Sequence, residues 1–371
     1  MKTGKDRLFP LGFGLMRLPK LSDGSIDVEQ TKAMADLFIE AGGNYFDTAY
    51  VYDNGASEAA FRLAVAERYP RESYNICTKL NAGHGCPDAQ TAKQQFYTSL
   101  ERTGAGYFDY YLLHAIRPES LKNYNDFGIW DFVRERKAEG LVKHWGFSFH
   151  STPQLLDELL TLHPDVDFVQ LQINYADMDN PSVSSRECYE TARRHGKPVV
   201  VMEPVKGGFL ANPPANVKAI LDERPDRSYA SWAVRFAASM EGIMTVLSGM
   251  SSLEQMKDNL SYMKDFRPLD EEEYRFIARL QEELKVDISI KCTACHYCTD
   301  DCPQNIPIPE IFALYNKYRQ TYMSPFAKKA YREAVEGRGR ASDCVKCGLC
   351  ASTCPQDLDV PALIEECTAL E

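Results

Sequence analysis

From residue 8 to about 265, short runs rich in Val, Ile, Leu, Phe and Tyr alternate with longer stretches whose apolar positions recur at helical spacing. The short runs predict eight strands, over 11–16, 45–47, 75–79, 109–114, 144–148, 167–172, 198–202 and 245–248. The longer stretches carry helix start signals. Asp27 opens a run reaching residue 41, with Gln30 three residues on; Asp88 precedes 89–102; and Thr152 is followed by Pro153 at the first helical position. Further helices fit 57–67, 126–139, 183–195, 228–239 and 252–265, and 270–285 reads as a surface helix whose run of four acids is a solvated first turn. Eight strand–helix units in series predict an α/β fold, a parallel sheet closed into a (β/α)8 TIM barrel rather than left open. Gly12 and Gly14 form a GxG with no third glycine, which reads as a turn and not as a phosphate loop.

Composition narrows the class. The chain has 371 residues, 44% hydrophobic and 26% charged, which excludes a disordered or fibrous protein. One barrel of about 250 residues leaves room for a second, smaller domain. The formal charge is −11 with no block of Lys and Arg, so neither nucleic acid nor an anionic membrane is an expected partner. No apolar run approaches the ~18 residues of a membrane span, and residues 1–10 are charged where a secretory leader is apolar, so the expected location is cytoplasmic.

The chain holds twelve cysteines, eight of them in two tight runs beyond residue 290, a pattern of metal ligation rather than of a disulfide scaffold. The runs are Cys292-x2-Cys295-x2-Cys298-x3-Cys302-Pro303 and Cys344-x2-Cys347-x2-Cys350-x3-Cys354-Pro355, each with the spacing of a bacterial ferredoxin [4Fe-4S] motif. Three thiolates two residues apart wrap three corners of a cubane, and the fourth turns to the other cluster. That assigns Cys292, Cys295, Cys298 and Cys354 to one cluster and Cys344, Cys347, Cys350 and Cys302 to a second. Zinc is the alternative, but zinc sites usually separate two CxxC pairs. The stretches 302–311 and 354–363 match at a constant offset of 52 residues, which predicts a pseudo-twofold, with Pro309 and Pro361 starting a helix in each half and 310–335 helical throughout. The tail resembles the helical dicluster ferredoxins, so the expected domains are 1–285, the barrel, and 286–371, a small, mostly helical domain with two [4Fe-4S] clusters. Cys77 lies within a strand and reads as core, and Cys86 with His84 would be a weak metal pair.

In a barrel, chemistry sits at the carboxyl ends of the strands. Asp47, Lys79 and His114 end the second, third and fourth strands, and Tyr52 follows the second. A tyrosine can hand its proton to a carbonyl oxygen, a nearby ammonium favours the resulting phenolate, Asp47 would hold that ammonium, and a neutral His114 could orient the carbonyl. Singly, each has a plainer reading as a structural ion pair or a core histidine.

The segment Asn44-Tyr-Phe-Asp47-Thr-Ala49 with Tyr52, Ser57-Glu58, Thr78-Lys79, Asp109-Tyr-Tyr-Leu-Leu-His114, Gly146-Phe-Ser148, Gln170, and Ser248-Gly249 through Asn259 resemble the aldo/keto reductases over about residues 8–265. The whole chain is similar to the branch that appends a dicluster ferredoxin domain. The resemblance implies Tyr52 as proton donor with Asp47, Lys79 and His114 as partners. Ser148 and Gln170 would hold the nicotinamide carboxamide, and Gly249, Ser251, Gln255 and Asn259 would line the phosphate and adenosine end of NAD or NADP. Phe149 replaces the usual Asn, Met202 stands where relatives stack an aromatic ring, and Gly249 and Gln255 stand where NADP-preferring members often carry Lys and Arg. Glu203, beside the site, reads by default as a structural bond to a loop amide. Two functions follow. One is an NAD(P)H-dependent reductase of a small carbonyl substrate. The other is an iron–sulfur electron carrier, serving a redox partner protein, with the barrel as scaffold. Nicotinamide moves two electrons and a cluster one; a flavin ordinarily bridges that gap and could sit in the barrel mouth, but no sequence element marks a place for it.

Overall fold

The computed structural model describes residues 7–83, 85–181, 183–284, 290, 292–300, 302–320, 325–356 and 358–371. The chain divides into two compact units: one runs to Val205 and resumes over Pro214–Gln281, and the other comprises Lys206–Pro213 and Glu282–Glu371.

In the first unit β1 (Leu11–Gly14), β2 (Tyr45–Asp47), β3 (Asn75–Leu80), β4 (Phe108–Ile116), β5 (Val142–Phe149), β6 (Phe168–Gln172), β7 (Val199–Met202) and β8 (Ile243–Ser248) form a closed parallel barrel in chain order. Its interior holds a layer of Tyr45, Cys77, Leu112, Phe168, Val200 and Leu247. The side-chain period of two along a strand places the residues two further on, Asp47, Lys79, His114 and Gln170, on the same inner face nearer the carboxyl ends. The intervening residues face the helices: Phe46 meets Phe38 edge-on, ring centres 5.3 Å apart. The barrel thus aims its own site. Gly12 and Gly14 lie within β1 rather than in a turn, and a Cβ on Gly12 would come 2.7 Å from Leu247 Cδ2 and 3.2 Å from Tyr45 Cδ1, so these two side chains of the interior layer fill the space that glycine leaves.

The helices around the barrel are α1 (Val28–Glu40), α2 (Ala56–Phe61), α3 (Ala89–Thr103), α4 (Pro118–Asp126), α5 (Ile129–Ala138), α6 (Pro153–Leu162), α7 (Ser185–Arg194), α8 (Ala215–Leu221), α9 (Tyr229–Ala238) and α10 (Leu253–Met263), with α11 (Glu271–Leu284) after them. Asp27, Asp88, Thr152, Ser228 and Ser252 each accept a backbone N–H of the first turn, as N-caps do. Two expectations need correction. The helix expected over 126–139 is α5, which starts only after Gly128 in the left-handed region (φ 61°), and α4 before it is a helix the sequence reading did not anticipate. The acids opening α11 are not all solvated: Glu273 is paired to the buried Arg235 guanidinium at 2.6 and 2.8 Å.

The second unit contains α12 (Tyr297–Asp300), α13 (Ile308–Gln320), α14 (Pro325–Ala334), α15 (Leu349–Ser352) and α16 (Val360–Cys367). The 52-residue offset is visible in the backbone: α12 and α15, and the starts of α13 and α16, are related by it. Ala294 and His296 have positive φ, as do Lys346 and Gly348. The stretch expected to be one helix over 310–335 contains α13 and α14, with 321–324 outside the described residues. The core is Ile306, Ile308, Ile311, Phe312, Tyr331 and Ile364 with their neighbours. No helix among the described residues is long and apolar enough to cross a membrane.

Candidate active site

Four strand ends and one loop bring Asp47, Lys79, Tyr52, His114 and Gln170 together. The Lys79 ammonium, 1% exposed, donates to Asp47 Oδ1 at 2.5 Å, to the Thr48 carbonyl at 2.6 Å and to the Tyr52 hydroxyl at 3.3 Å. Gln170 Nε2 donates to the other Asp47 oxygen at 3.2 Å. The His114 ring stands edge-on to the Tyr52 ring, centres 5.7 Å apart. Tyr52 itself is set by a tight loop in which Asp53, Asn54 and Gly55 all take positive φ, with Asp53 tied to Lys20 at 2.7 Å.

Beneath this loop lies a buried polar belt that the sequence did not assign a role. Thr48 donates to Ser57, which donates to the Leu15 carbonyl; Thr78 donates to Glu58 Oε1 at 2.7 Å; and Arg102 reaches Glu58 Oε2 and the Tyr50 carbonyl. The pair Ser57-Glu58 closely following the loop tyrosine was the available signal, and in the structure Glu58 has no exposed surface.

Burial pulls the Lys79 ammonium down, but Asp47 and Tyr52 beside it outweigh that, and it is held above the usual lysine range. Burial also lifts the Tyr52 phenol, and the opposing pull of Lys79 only partly offsets this, so Tyr52 keeps its proton at neutral pH. His114 is pushed down to about 3, mainly by burial and next by Lys79, and is therefore a neutral imidazole. Its Nδ1 is buried without a partner. An orphaned buried N–H costs about 1–3 kcal/mol, so the single ring proton is assigned to Nε2. The ensemble is a protonated phenol, a fixed ammonium and a neutral N–H donor.

The remaining predicted residues fall around this set or at the next strands. Ser148 Oγ accepts the Ala115 N–H at 2.7 Å, directly after His114. At the end of β8, Ser251 N–H donates to Gln255 Oε1 and its hydroxyl to the Arg17 carbonyl, each at 2.7 Å, and Asn259 donates to Ser248 Oγ at 2.7 Å. Gly249 faces the Arg17 side chain, whose carbons would lie 3.5–3.6 Å from a Cβ there. Glu203 departs from expectation: the Asn174 amide bonds its backbone carbonyl at 3.2 Å, not its carboxylate.

In the second unit two separate hollows have cysteine walls. One is lined by Cys292, Cys295, Cys298 and Cys354, the other by Cys344, Cys347, Cys350 and Cys302, so each takes three sulfurs from one motif and one from the other. Pro309, Phe312 and Leu358 complete one wall set, Ile306, Pro361 and Ile364 the other. Four thiols around an apolar hollow suit an iron–sulfur cubane. Among the described residues no three His, Cys, Asp or Glu converge on the position of a single metal ion. Cys77 and Cys188 are buried, and the His84 partner expected for Cys86 lies outside the described residues.

The aldo/keto reductase family model matches residues 10–282, and the model of a 4Fe-4S dicluster domain matches residues 291–359. Oxidoreductase YqkF of Bacillus subtilis (strain 168) is 26% identical over 298 residues, covering 71% of this chain and 91% of its own. An aldo-keto reductase of Mycolicibacterium vanbaalenii is 32% identical, covering 65% of this chain and 78% of its own. Among solved structures, the holo form of aldo-keto reductase AKR11C1 from Bacillus halodurans matches with TM-score 0.60 and 26% identity over 73% of this chain and 91% of that one. An aldo/keto reductase from Klebsiella pneumoniae, solved with NADP and acetate, shares the fold with TM-score 0.58 at 19% identity, over 74% of this chain and 92% of that one. With the barrel, its strand-end residues and the cysteine-walled hollows in place, these matches show that the chain is an oxidoreductase of the aldo/keto reductase family, carrying a 4Fe-4S dicluster domain after its barrel.

Proposed function

We propose that the barrel reduces a small aldehyde or ketone, with Tyr52 as the proton donor. The contact of Lys79 with both Asp47 and the Tyr52 hydroxyl carries this reading. A reduced nicotinamide held by Ser148 and Gln170 at the barrel mouth would supply a hydride to the carbonyl carbon. The chain's own residues do the rest: His114 Nε2–H orients the carbonyl oxygen, Tyr52 passes its proton to that oxygen, and the Lys79 charge stabilises the phenolate left behind. Asp47, neutralising Lys79 and fixed by Gln170, keeps the ammonium aimed at the phenol. Gly249, Ser251, Gln255 and Asn259 would meet the dinucleotide's far end. With no Lys or Arg at 249 or 255, a strong preference for the 2′-phosphate is not expected. The eight cysteines would hold two [4Fe-4S] clusters, which exchange single electrons. The two cysteine-walled hollows favour a second reading, in which the protein passes electrons to a redox partner and the barrel is scaffold.

The test is anaerobic NADH and NADPH oxidation with a set of small aldehydes and ketones. Tyr52→Phe should lose about 10²- to 10⁴-fold in turnover, with nicotinamide affinity by fluorescence titration nearly unchanged. If Tyr52→Phe instead keeps full activity in an assay that reports electron delivery to an external one-electron acceptor, the tetrad is not the working site and the carrier reading replaces the reductase one.

A further inference from the structure

The polar belt under the Tyr52 loop takes no part in the mechanism above, yet its bonds end beside both partners of the Lys79–Tyr52 contact. Glu58, on the first turn of α2 and without exposed surface, accepts the Thr78 hydroxyl at 2.7 Å. Thr78 faces the helices, and Lys79, the next residue of β3, faces the barrel interior, so this bond fixes β3 where the ammonium leaves it. One residue earlier on the same turn, Ser57 meets the Thr48 hydroxyl at 2.7 Å, and the Thr48 carbonyl is itself a Lys79 acceptor.

The other Glu58 oxygen pairs with Arg102 of α3 at 3.4 Å. The same Arg102 nitrogen donates to the Tyr50 carbonyl at 3.1 Å, and the guanidinium stands over the Tyr50 ring, 4.6 Å from its centre. A Cβ on Gly55 would run into that guanidinium. Tyr50 and Gly55 bracket Tyr52, so Arg102 touches its loop on both sides. Within the loop Asp53 and Asn54 take positive φ, a conformation that such residues keep only where the surroundings fix it.

We propose that the Arg102–Glu58 pair positions the proton donor: it sets the Tyr52 hydroxyl against the Lys79 ammonium. The inference rests on the reductase reading and deepens it. Neither side chain touches the reacting atoms. The Glu58 bond to Thr78 holds the lysine side of the contact, the Arg102 contacts with Tyr50 and Gly55 hold the tyrosine side, and the ion pair joins the two. Arginine suits the place because its planar fork serves the carboxylate and the carbonyl together, where a lysine offers a single point charge.

The experiment uses the full-length protein with its clusters and measures kcat and KM for a small aldehyde, nicotinamide affinity by fluorescence titration, and the urea midpoint. Arg102→Met should lower kcat about 10²-fold, the loss expected of a donor misplaced by about 1 Å. The aldehyde KM and nicotinamide affinity should stay nearly unchanged, and Arg102→Lys should recover part of the rate. A double-mutant cycle tells positioning from general weakening of the fold. Because Arg102 acts through Tyr52, Arg102→Met should cost almost nothing further when Tyr52→Phe is already present. An unchanged kcat in Arg102→Met, or an equal loss in both backgrounds, would overturn the assignment. Should Arg102→Met not fold, Glu58→Gln, whose amide oxygen can still accept from Thr78, is judged by the same cycle. If the parent protein reduces no carbonyl, the reductase reading falls, and a crystal structure of the folded variant decides the positioning claim alone. A Tyr52 hydroxyl drawn away from Lys79 upholds it, and a retained contact refutes it.

Discussion

His114 and His150 are the residues whose protonation the fold changes most usefully, because both are kept neutral where the unfolded chain would charge them. In the unfolded chain each gains a proton near pH 6.5; in the native protein burial holds that event back to about 3 and about 4. Between those values the unfolded state binds more protons, so stability is fully present above pH 6.5 and declines as pH falls below it. Urea unfolding should therefore show a falling midpoint from pH 6.5 to 5, a window above most carboxylate titration, and His114→Gln should remove up to about one proton from the linkage there. The rate of carbonyl reduction should show no step near pH 6.5 from His114, whose ring stays neutral through that range. At this scale the sequence was informative where a residue ends a strand: Asp47, Lys79 and His114 could be read because the inner-face period of two puts them at the mouth. It was silent on contacts without periodicity. The Gln170 amide on Asp47 is a contact across the barrel between β6 and β2, and the Thr48 carbonyl under Lys79 and the Asn174 bond to the Glu203 carbonyl depend on loop paths; no local pattern encodes any of them.

Strands and helices were read with different success, for a physical reason. Strand positions were marked by dense apolar runs, and helix starts by capping side chains that the structure uses as caps. Short helices outside the expected set were not marked: α4 ends at Asp126 just before Gly128 and α5, and the short α8 carries too few periodic positions to stand out. Glycines within the barrel wall mark close approach instead. In β5, a Cβ on Gly146 would lie 2.1 Å from the Phe168 carbonyl oxygen, a backbone atom of the neighbouring strand that cannot swing away. Gly146→Ala should therefore part β5 from β6 and cost at least about 3 kcal/mol, the upper end for overpacking. Gly140→Ala is the control, with φ 78° but nothing within 4 Å, and should cost only the backbone term of about 1–2 kcal/mol. Urea midpoints of the two variants measure the difference, and β5 is also the strand that delivers Ser148.

Across the whole molecule, two kinds of regularity announce two units: an eightfold strand–helix alternation and a twofold cysteine repeat. What the sequence could not show is that Lys206–Pro213, between β7 and α8, groups with the cysteine-rich unit, because that segment carries neither pattern. The cysteine exchange between motifs leads to a further expectation. Cys302→Ser should damage the cluster built on Cys344, Cys347 and Cys350, and Cys354→Ser the one built on Cys292, Cys295 and Cys298, while the full chain should hold about eight irons and eight sulfides. Iron and sulfide analysis with electron paramagnetic resonance on anaerobic protein reads both. Once filled, the two hollows would act as nested clasps: the cluster on Cys292, Cys295, Cys298 and Cys354 closes a loop that contains every ligand of the other, and the loop from Cys302 to Cys344 lies inside it, so each cluster removes chain entropy that the other would otherwise have to overcome. Loading the first cluster should ease loading of the second, and oxygen attack at the exposed Cys295 or Cys347 corner should loosen both. Tails carrying a single cluster would then be a short-lived minority, and the population would divide into fully loaded chains and empty ones.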